Sequence, residues 1–538
     1  MHGRKVRYPT LEEGAMVVLQ YRHIQRPSGY LRQHLATNWL FQHNLEQALY
    51  GEWILALPPD RKLNIHIQGD VSHQETARHG LAVHRFAARD VPPLRPEPRS
   101  LPARDLLRTV SVSTVPSWDY FSEWGNSLTT DVFAMDPNLR QTLEQLTRAN
   151  KTVPQRIDAV YHFALTSIRY QQDYETFIAG VKPHTASTVL ARGYGDCKDK
   201  SVLIIAMLRA MGIKANLALV RTHGAGRVLP GVPSQQFNHA VAYVPPQSGV
   251  PRGRFLDATA ENLDIEVLRP DDQGTLALIL FPEGYRLVPI PYQLPENNWY
   301  SLEINLELDA QGSATAVMVM QGKGVLAGQL RRPLQNDQIL RQYAQSMVHQ
   351  LYPDCSLTDV RITGHQTILK PLAVRLKASC PQAARSEEGQ IRLRPPQLLG
   401  AAAAMAQWTE RRHPLYLGPP DLVTANVTIT LPDALSIHAQ PPELAETHPC
   451  TAIHGKWEQQ ETDGRKQLRY RQRVRRTCPV VTPEQYPSFR AALNKLKRYV
   501  ESDVVLAEPA KGKAPRAKTA AGKGKGPARG KAATGAGK

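Results

Sequence analysis

The chain has no long apolar run. Across its 538 residues nothing approaches the roughly 20 apolar residues that a membrane-spanning helix needs. The best candidate, Val202–Met207, is short and soon meets Arg209, so no membrane span is expected. No export leader is visible either: His2, Arg4, Lys5 and Arg7 precede a Thr10-Leu-Glu-Glu-Gly14 turn, where a leader would carry an apolar stretch. Read plainly, that marks a cytoplasmic protein, and a gene start placed too late gives the same appearance. Residues 511–538 hold no acidic and no aromatic residue, and their nine Lys and Arg supply half of the formal net charge of +18. A tail of Lys, Ala, Gly and Pro cannot bury a core and is expected to be disordered. Without aromatics it offers no base stacking, so it reads as a solvating extension and nucleic acid is not an expected partner.

What is present divides the chain. Its length calls for several domains, the 42% apolar content suits a folded soluble protein, and 42 prolines favour strands and loops. Up to residue 127 the pattern is mostly of period two: Met16–Tyr21, Glu52–Leu57, Leu63–Gln68, Gly80–Phe86 and Val110–Val115, closing on the aromatic segment Trp118–Trp124. From 128 the period becomes helical, with Leu139, Leu143 and Leu146 after Pro137, then Ile157, Val160, Tyr161, Ala164 and Leu165 in Val153–Ile168. A short helical piece, Ala186–Leu190, leads to a third helix carrying Val202, Ile205 and Leu208, and strands follow at Asn216–Arg221, His239–Val244 and Arg254–Asp257. This is an α+β unit. Beyond 296 the period of two returns in Ser301–Leu308 and Ala314–Met320, interrupted by a helix over Asp337–Leu351. The expected organisation is a β-rich domain over 1–127, a central core over 128–295, a β-rich region with a helix over 296–505, and the tail over 506–538. Ile54–Ile65 and Val427–Ile437 share a strand–Pro–Asp–strand pattern. Each is followed by a charged hairpin and an aromatic helix start, which suggests two related β modules.

The five cysteines bear on compartment. Cys450 and Cys478 bracket two strand-like runs around Asp463-Gly464, a two-residue hairpin signal, in a register that one bulge would bring to cross-strand pairing. Cys355 and Cys380 flank Leu357–Ile362 and Leu372–Lys377 in the same way. Two cross-strand pairs fit an oxidising compartment; four ordinary buried thiols fit a cytoplasmic one.

The fifth cysteine has different surroundings. Gly193 and Gly195 allow a tight approach to Cys197, Asp196 can cap a helix that starts there, and Lys198 and Lys200 add positive charge nearby, opposed by Asp199. A helix start favours a thiolate, the reactive form. His239, Val241 and Tyr243 share one face of a strand, and Asp257 shares a face with Phe255 on the next, so a hairpin can present imidazole and carboxylate together. Nucleophile, base and orienting acid make a complete set for acyl transfer. Alone, each residue has an ordinary structural reading; their joint order on these elements favours function. Oxyanion donors could be the Cys197 backbone N–H, Tyr170 or Gln171.

Segment 153–260 resembles the transglutaminase-like superfamily with its papain-like cysteine core. The resemblance rests on Ile168-Arg-Tyr170, Gly195-Asp-Cys-Lys-Asp-Lys200, Leu203 through Leu208-Arg-Ala-Met-Gly-Ile213, Phe237-Asn-His239 and Phe255-Leu-Asp-Ala-Thr259. It is closest to a bacterial subgroup whose core lies between two β-rich domains. It implies an α+β fold with antiparallel β-sandwich-like flanks, Cys197 as nucleophile, His239 as general base and Asp257 as the orienting group. Ala258 departs from the family, which often has proline there, and so does the absent export signal, since such proteins are often periplasmic. No cofactor and no metal are expected. The expected activity is cysteine-dependent acyl transfer or hydrolysis on protein or peptide amides, with protease or amidase favoured slightly over transglutaminase because water is always available. The alternative is a non-catalytic binding or assembly protein of the cell envelope that works through its β flanks.

Overall fold

The computed structural model describes residues 33–172, 182–334, 336–366, 370–387, 390–396 and 405–507, together with positions 12, 14–18, 31 and 368. The basic tail lies outside the described residues, as does part of the expected strand Met16–Tyr21, whose positions 16–18 form no strand.

The N-terminal region builds two three-stranded antiparallel sheets from β1 (Ala36–Leu40), β2 (Ala48–Leu57), β3 (Asn64–Gln68), β4 (Ser72–Arg78), β5 (Leu81–Val91) and β6 (Thr109–Ser113). Their orders are β1-β6-β3 and β2-β5-β4. Phe41, Phe86, Ala88, Val91, Val110 and Val112 form a small core between them. The aromatic segment Trp118–Trp124 opens helix α1 (Trp118–Ser127), capped by Ser117. Its Trp118 and Phe121 are buried not with the N-terminal sheets but with Leu203 and Leu280 of the central unit.

In that unit the helical spacing gives α2 (Pro137–Thr147), with Pro137 in its first turn and Asp136 as cap, and α3 (Val153–Ser167), with a Thr152/Gln155 capping box. Then come β7 (Arg169–Tyr170), α4 (Ala186–Arg192), β8 (Tyr194–Gly195) and α5 (Cys197–Ala210). A five-stranded antiparallel sheet in the order β11-β10-β9-β12-β13 backs them. It consists of β9 (Asn216–Val220), β10 (His239–Val244), β11 (Arg254–Leu256), β12 (Leu276–Phe281) and β13 (Gly284–Pro289). The last two strands lie inside the expected core, but the pattern of Leu276–Phe281 is a near-continuous apolar run rather than an alternation. That is the pattern of a strand buried on both faces. Ala240, Ala242 and Leu278 pack towards the helices, while Val241, Tyr243, Phe255 and Ile279 line the opposite face. Helix α5 is buried from Lys198 through Leu208. Each fully buried Leu, Ile or Val there contributes about 1.5–3 kcal/mol, which anchors the Cys197 end of the helix.

The C-terminal region is built on an eight-stranded sheet, beside a four-stranded one in the order Ala384–Glu387, Gln390–Leu393, Val504–Ala507 and Ser436–Ala439. The order of the larger sheet is Ser356–Thr363, Leu372–Cys380, Ala314–Lys323, Trp299–Leu308, Asp421–Thr430, Arg465–Arg476, Thr451–Thr462 and Leu444–His448. The flanks are antiparallel apart from Trp299–Leu308 against Asp421–Thr430, which run parallel. A helix not expected from the sequence, Gly324–Leu334, continues directly from a strand and precedes the expected Asp337–Leu351. Asp463 and Gly464 both take positive φ, 53° and 72°, as the tight hairpin turn requires. Cys450 is joined to Cys478, and Cys355 to Cys380. The first pair needs no bulge: the ladder keeps one register from Thr462/Arg465 to Thr451/Arg476, and the offset is taken up beyond it, where the Thr477 N–H donates to the Cys450 carbonyl.

The two β regions share part of a plan. β2 and β3 belong to different sheets, as do Asp421–Thr430 and Ser436–Ala439. β5 lies between β2 and β4 as Arg465–Arg476 lies between Asp421–Thr430 and Thr451–Thr462. The likeness ends there, since β3 pairs with β6 ahead of α1, whereas Ser436–Ala439 pairs with Val504–Ala507 after the helix Tyr486–Glu501.

Candidate active site

The thiol sits where a loop becomes α5. β7 and β8 pair in parallel just before it, and the Gln171 N–H donates to the Gly195 carbonyl. Gly195 leaves no room for a side chain: a Cβ there would lie 2.7 Å from that of Asp199. Asp196 caps the helix, accepting from the Lys198 and Asp199 N–H groups, and the Asp199 carboxylate returns the bond to the Asp196 N–H. Asp199 is a structural cap in a second sense, since it also accepts from the His184 N–H at 2.8 Å and lies 3.1 Å from His184 Nδ1. The two lysines do less for the thiol than their positions suggest. Lys198 pairs with the Asp196 carboxylate. Lys200 points away, donating to the Ile168 carbonyl at 2.6 Å, and burial pushes its pKa down to about 8. Of the local chain, the helix start rather than the two lysines therefore supplies positive potential at Cys197.

His239 begins β10 and Asp257 follows β11. Extending the β10–β11 register past Ala242/Leu256 sets Asp257 opposite Val241, diagonal to His239 on the same face. His239 Nε2 lies 3.1 Å from Asp257 Oδ2. The other carboxylate oxygen accepts from the Thr259 N–H at 2.9 Å and the Thr259 hydroxyl at 2.7 Å, a grip that Ala258 in place of proline leaves intact. The ring faces the same cavity as Cys197, whose side chain favours the charged imidazole. Burial opposes charging the imidazole, but the Asp257 carboxylate outweighs it and holds the His239 pKa well above its ordinary value. Against burial, His239 and Thr259 hold Asp257 well below the usual carboxylate range.

One residue here escaped the sequence reading. Asp272, in the loop before β12, is fully buried, with Oδ2 3.9 Å from His239 Nε2. Neither of its carboxylate oxygens accepts from an N–H or O–H among the described residues. Burial and the adjacent Asp257 push its pKa well above the carboxylate range, which favours its protonated form. Two carboxyls at this distance cannot both ionise cheaply. One ligand atom each from His239, Asp257 and Asp272 lie within 4.8 Å of one another. In sequence, Pro270-Asp-Asp-Gln-Gly274 looks like an ordinary turn, so no local signal marked it.

Cys197 and His239 line one cavity of about 250 Å³ together with Trp124, Leu219, Phe237 and Leu280. Tyr170 lines it too, and burial with the negative charge of Cys197 pushes its pKa up to about 12, so the hydroxyl stays a donor. Gln171 does not: its side chain accepts from Arg169, and Gln172 takes the place at the cavity. Apolar walls, a thiol on a helix start and a buried imidazole–carboxylate pair can support nucleophilic attack with proton transfer.

The family profile of the transglutaminase-like superfamily matches residues 140–249. No curated protein matches the sequence. Among solved structures, the chain is similar to a proposed protease from Parabacteroides distasonis, with 12% identity, a TM-score of 0.56, and coverage of 88% of this chain and 75% of that one. A proposed cysteine protease from Cytophaga hutchinsonii is matched at 13% identity and a TM-score of 0.19, over 42% of this chain and 75% of that one. The first likeness extends the common fold beyond the core into the β-rich flanks. Residues 140–249, which include the helix-start thiol and His239, form a domain of the transglutaminase-like superfamily.

Proposed function

We propose that the protein is a cysteine-dependent enzyme acting on protein or peptide amides, with Cys197 as nucleophile, His239 as general base and acid, and Asp257 as the group that orients the ring. The observation that carries this reading is that Cys197 and His239 line one cavity while His239 Nε2 lies 3.1 Å from Asp257. An imidazolium favoured by Asp257 supports the thiolate. The thiolate attacks the amide carbonyl, the C–N bond breaks as His239 protonates the departing amine, and a thioester remains on Cys197. Water then attacks the thioester, giving its proton to His239, and the acid leaves with the thiolate restored. Hydrolysis is favoured over cross-linking because water needs no dedicated acceptor site. The Cys197 N–H at the helix start and the Tyr170 hydroxyl are the oxyanion donors this geometry favours.

The two disulfides support an oxidising, extracytoplasmic compartment. Among the described residues no helix is long and apolar enough to cross a membrane. The divisions at about 295 and 505 serve as the working domain map, and the first moves from 127 to about 117, because α1 (Trp118–Ser127) is buried with the core. The test is a peptide-amide and monodansylcadaverine screen, wild type against Cys197→Ala. Turnover that disappears in the variant supports the reading. Turnover that survives, or a wild type inert to every amide and amine while Cys197 alkylates like a free thiol, overturns it.

A further inference from the structure

Beside the thiol's cavity lies a larger one, of about 610 Å³, between the sheet β1-β6-β3 and the loop 222–238 that joins β9 to β10. Arg104, Arg221 and Arg227 line it against a single carboxylate, Asp105. Arg221 is only 5% exposed. Its guanidinium donates to neutral acceptors, the Ala225 carbonyl at 2.7 Å and Gln236 Oε1 at 3.4 Å, and makes no ion pair among the described residues. A buried cation without a counter-ion is costly. His66 adds a second unmet group, since its Nε2 is buried without a hydrogen-bond partner. Burial and Arg227 lower its pKa, so the ring is neutral near pH 7 and has one N–H to offer.

The wall is built, not loose. Ser113 Oγ donates to the Pro233 carbonyl at 2.5 Å and Trp118 Nε1 to that of Pro230 at 2.7 Å. The Arg227 N–H donates to Asp105 Oδ1 at 2.9 Å, and the Gln236 amide donates to the Leu229 and Val232 carbonyls. The first three bonds fasten the loop to the N-terminal region and α1, and the Gln236 pair braces it internally. The same loop carries Gln235, which lines both this cavity and that of Cys197 and His239, so the two spaces meet at its side chain.

We propose that this cavity is an anion-binding subsite of the Cys197 cleft, which takes a carboxylate-bearing part of a peptide substrate against Arg104, Arg221 and Arg227. The N-terminal β region then has a function: it supplies one wall of the substrate site. The proposal rests on Cys197 being the reacting group, and its test is kept separate from turnover. Fluorescein-labelled hexapeptide amides containing Glu, their Gln counterparts, and Gln peptides ending in a free carboxylate are titrated by anisotropy against Cys197→Ala protein at low salt. The expected result is binding of carboxylate peptides about tenfold tighter than neutral ones, weakening as salt screens it. Comparing the internal-Glu and free-terminus peptides identifies which carboxylate is read. The exposed pair Arg104→Gln/Arg227→Gln, checked for an unchanged melting profile, brings the preference to parity, and Arg104→Glu/Arg227→Glu reverses it. Equal binding of acidic and neutral peptides, or a preference that survives both double variants, overturns the subsite whether or not the enzyme turns over.

Discussion

Around Cys197 the interior is shared with charge, whereas the C-terminal region keeps most of its interior apolar. Asp196, Asp199, Lys200, His239, Asp257 and Asp272 are each 6% exposed or less, and Asp257 and Asp272 both face one imidazole. In the C-terminal region Leu302, Ile304, Leu306, Met318, Leu376, Ile429, Leu468 and Phe489 close one continuous core. Charge enters that interior at few places: Asp421 pairs with Arg476, Arg411 pairs with Glu97 of the N-terminal region, and Arg331 donates to the Gly364 and Asn262 carbonyls, while two disulfides brace the sheet. A region that only has to hold its shape keeps charge out of its core, and the buried groups it leaves without a hydrogen bond, such as the Tyr352 hydroxyl and Trp457 Nε1, are neutral. The region around the thiol leaves a proton and an imidazolium in contention, which is the condition under which acid–base chemistry is available.

That contrast can be broken from either side. Reducing both disulfides, whose cysteines are 25 and 28 residues apart, is expected to cost about 3 kcal/mol for each loop. The loss is read by hydrogen exchange as reduced protection of Leu372–Cys380 and Thr451–Thr462, with protection of α5 unchanged. Phe489→Ala should destabilise the same region by about 3–5 kcal/mol, measured by chemical denaturation, and leave the alkylation rate of Cys197 in the folded protein unaltered. On the other side, His239→Ala is expected to slow alkylation of Cys197 by iodoacetamide at pH 6.5 about 10²-fold, because an unassisted thiol is only about 1% thiolate there. It should leave the C-terminal exchange pattern alone.

Asp272→Asn has the smallest effect and the most specific sign. The folded state holds a proton on Asp272 that the unfolded chain releases above a pKa of about 3.9. Its contribution to stability is therefore full below that value and is lost as pH rises towards the elevated native pKa. Asparagine removes the loss while keeping an N–H for Asp257. The variant should melt higher than wild type at pH 7 and at the same temperature at pH 3.5. A lower melting point at pH 7 would show Asp272 to be ionised in the native protein.

Much of this was legible in the sequence where pattern and chemistry coincide. The helical spacings around Leu139 and Ile157, the capping at Asp196 and the Asp463-Gly464 turn are local signals, and each produced its element. Cys197, His239 and Asp257 could be named because three ordinary residues fell in one order on the element types that the chemistry needs, and the fold brings them together. What stayed hidden depends on tertiary contact. Asp272 is a turn residue until β12 brings it against Asp257. Lys198 and Lys200 looked like positive charge for the thiol until their side chains met Asp196 and the Ile168 carbonyl. Gln172 rather than Gln171 reaches the cavity because β7 and β8 pair and set which side chain points inward.

The most direct test of the central claim is the pH dependence of Cys197 alkylation in the folded wild type, with the label located by mass spectrometry. A thiolate supported by His239 predicts that the rate stays nearly level from pH 8.5 down to 6.5, and that His239→Ala restores the tenfold fall per pH unit of a free thiol. A wild-type rate that already falls tenfold per unit across that range would contradict it.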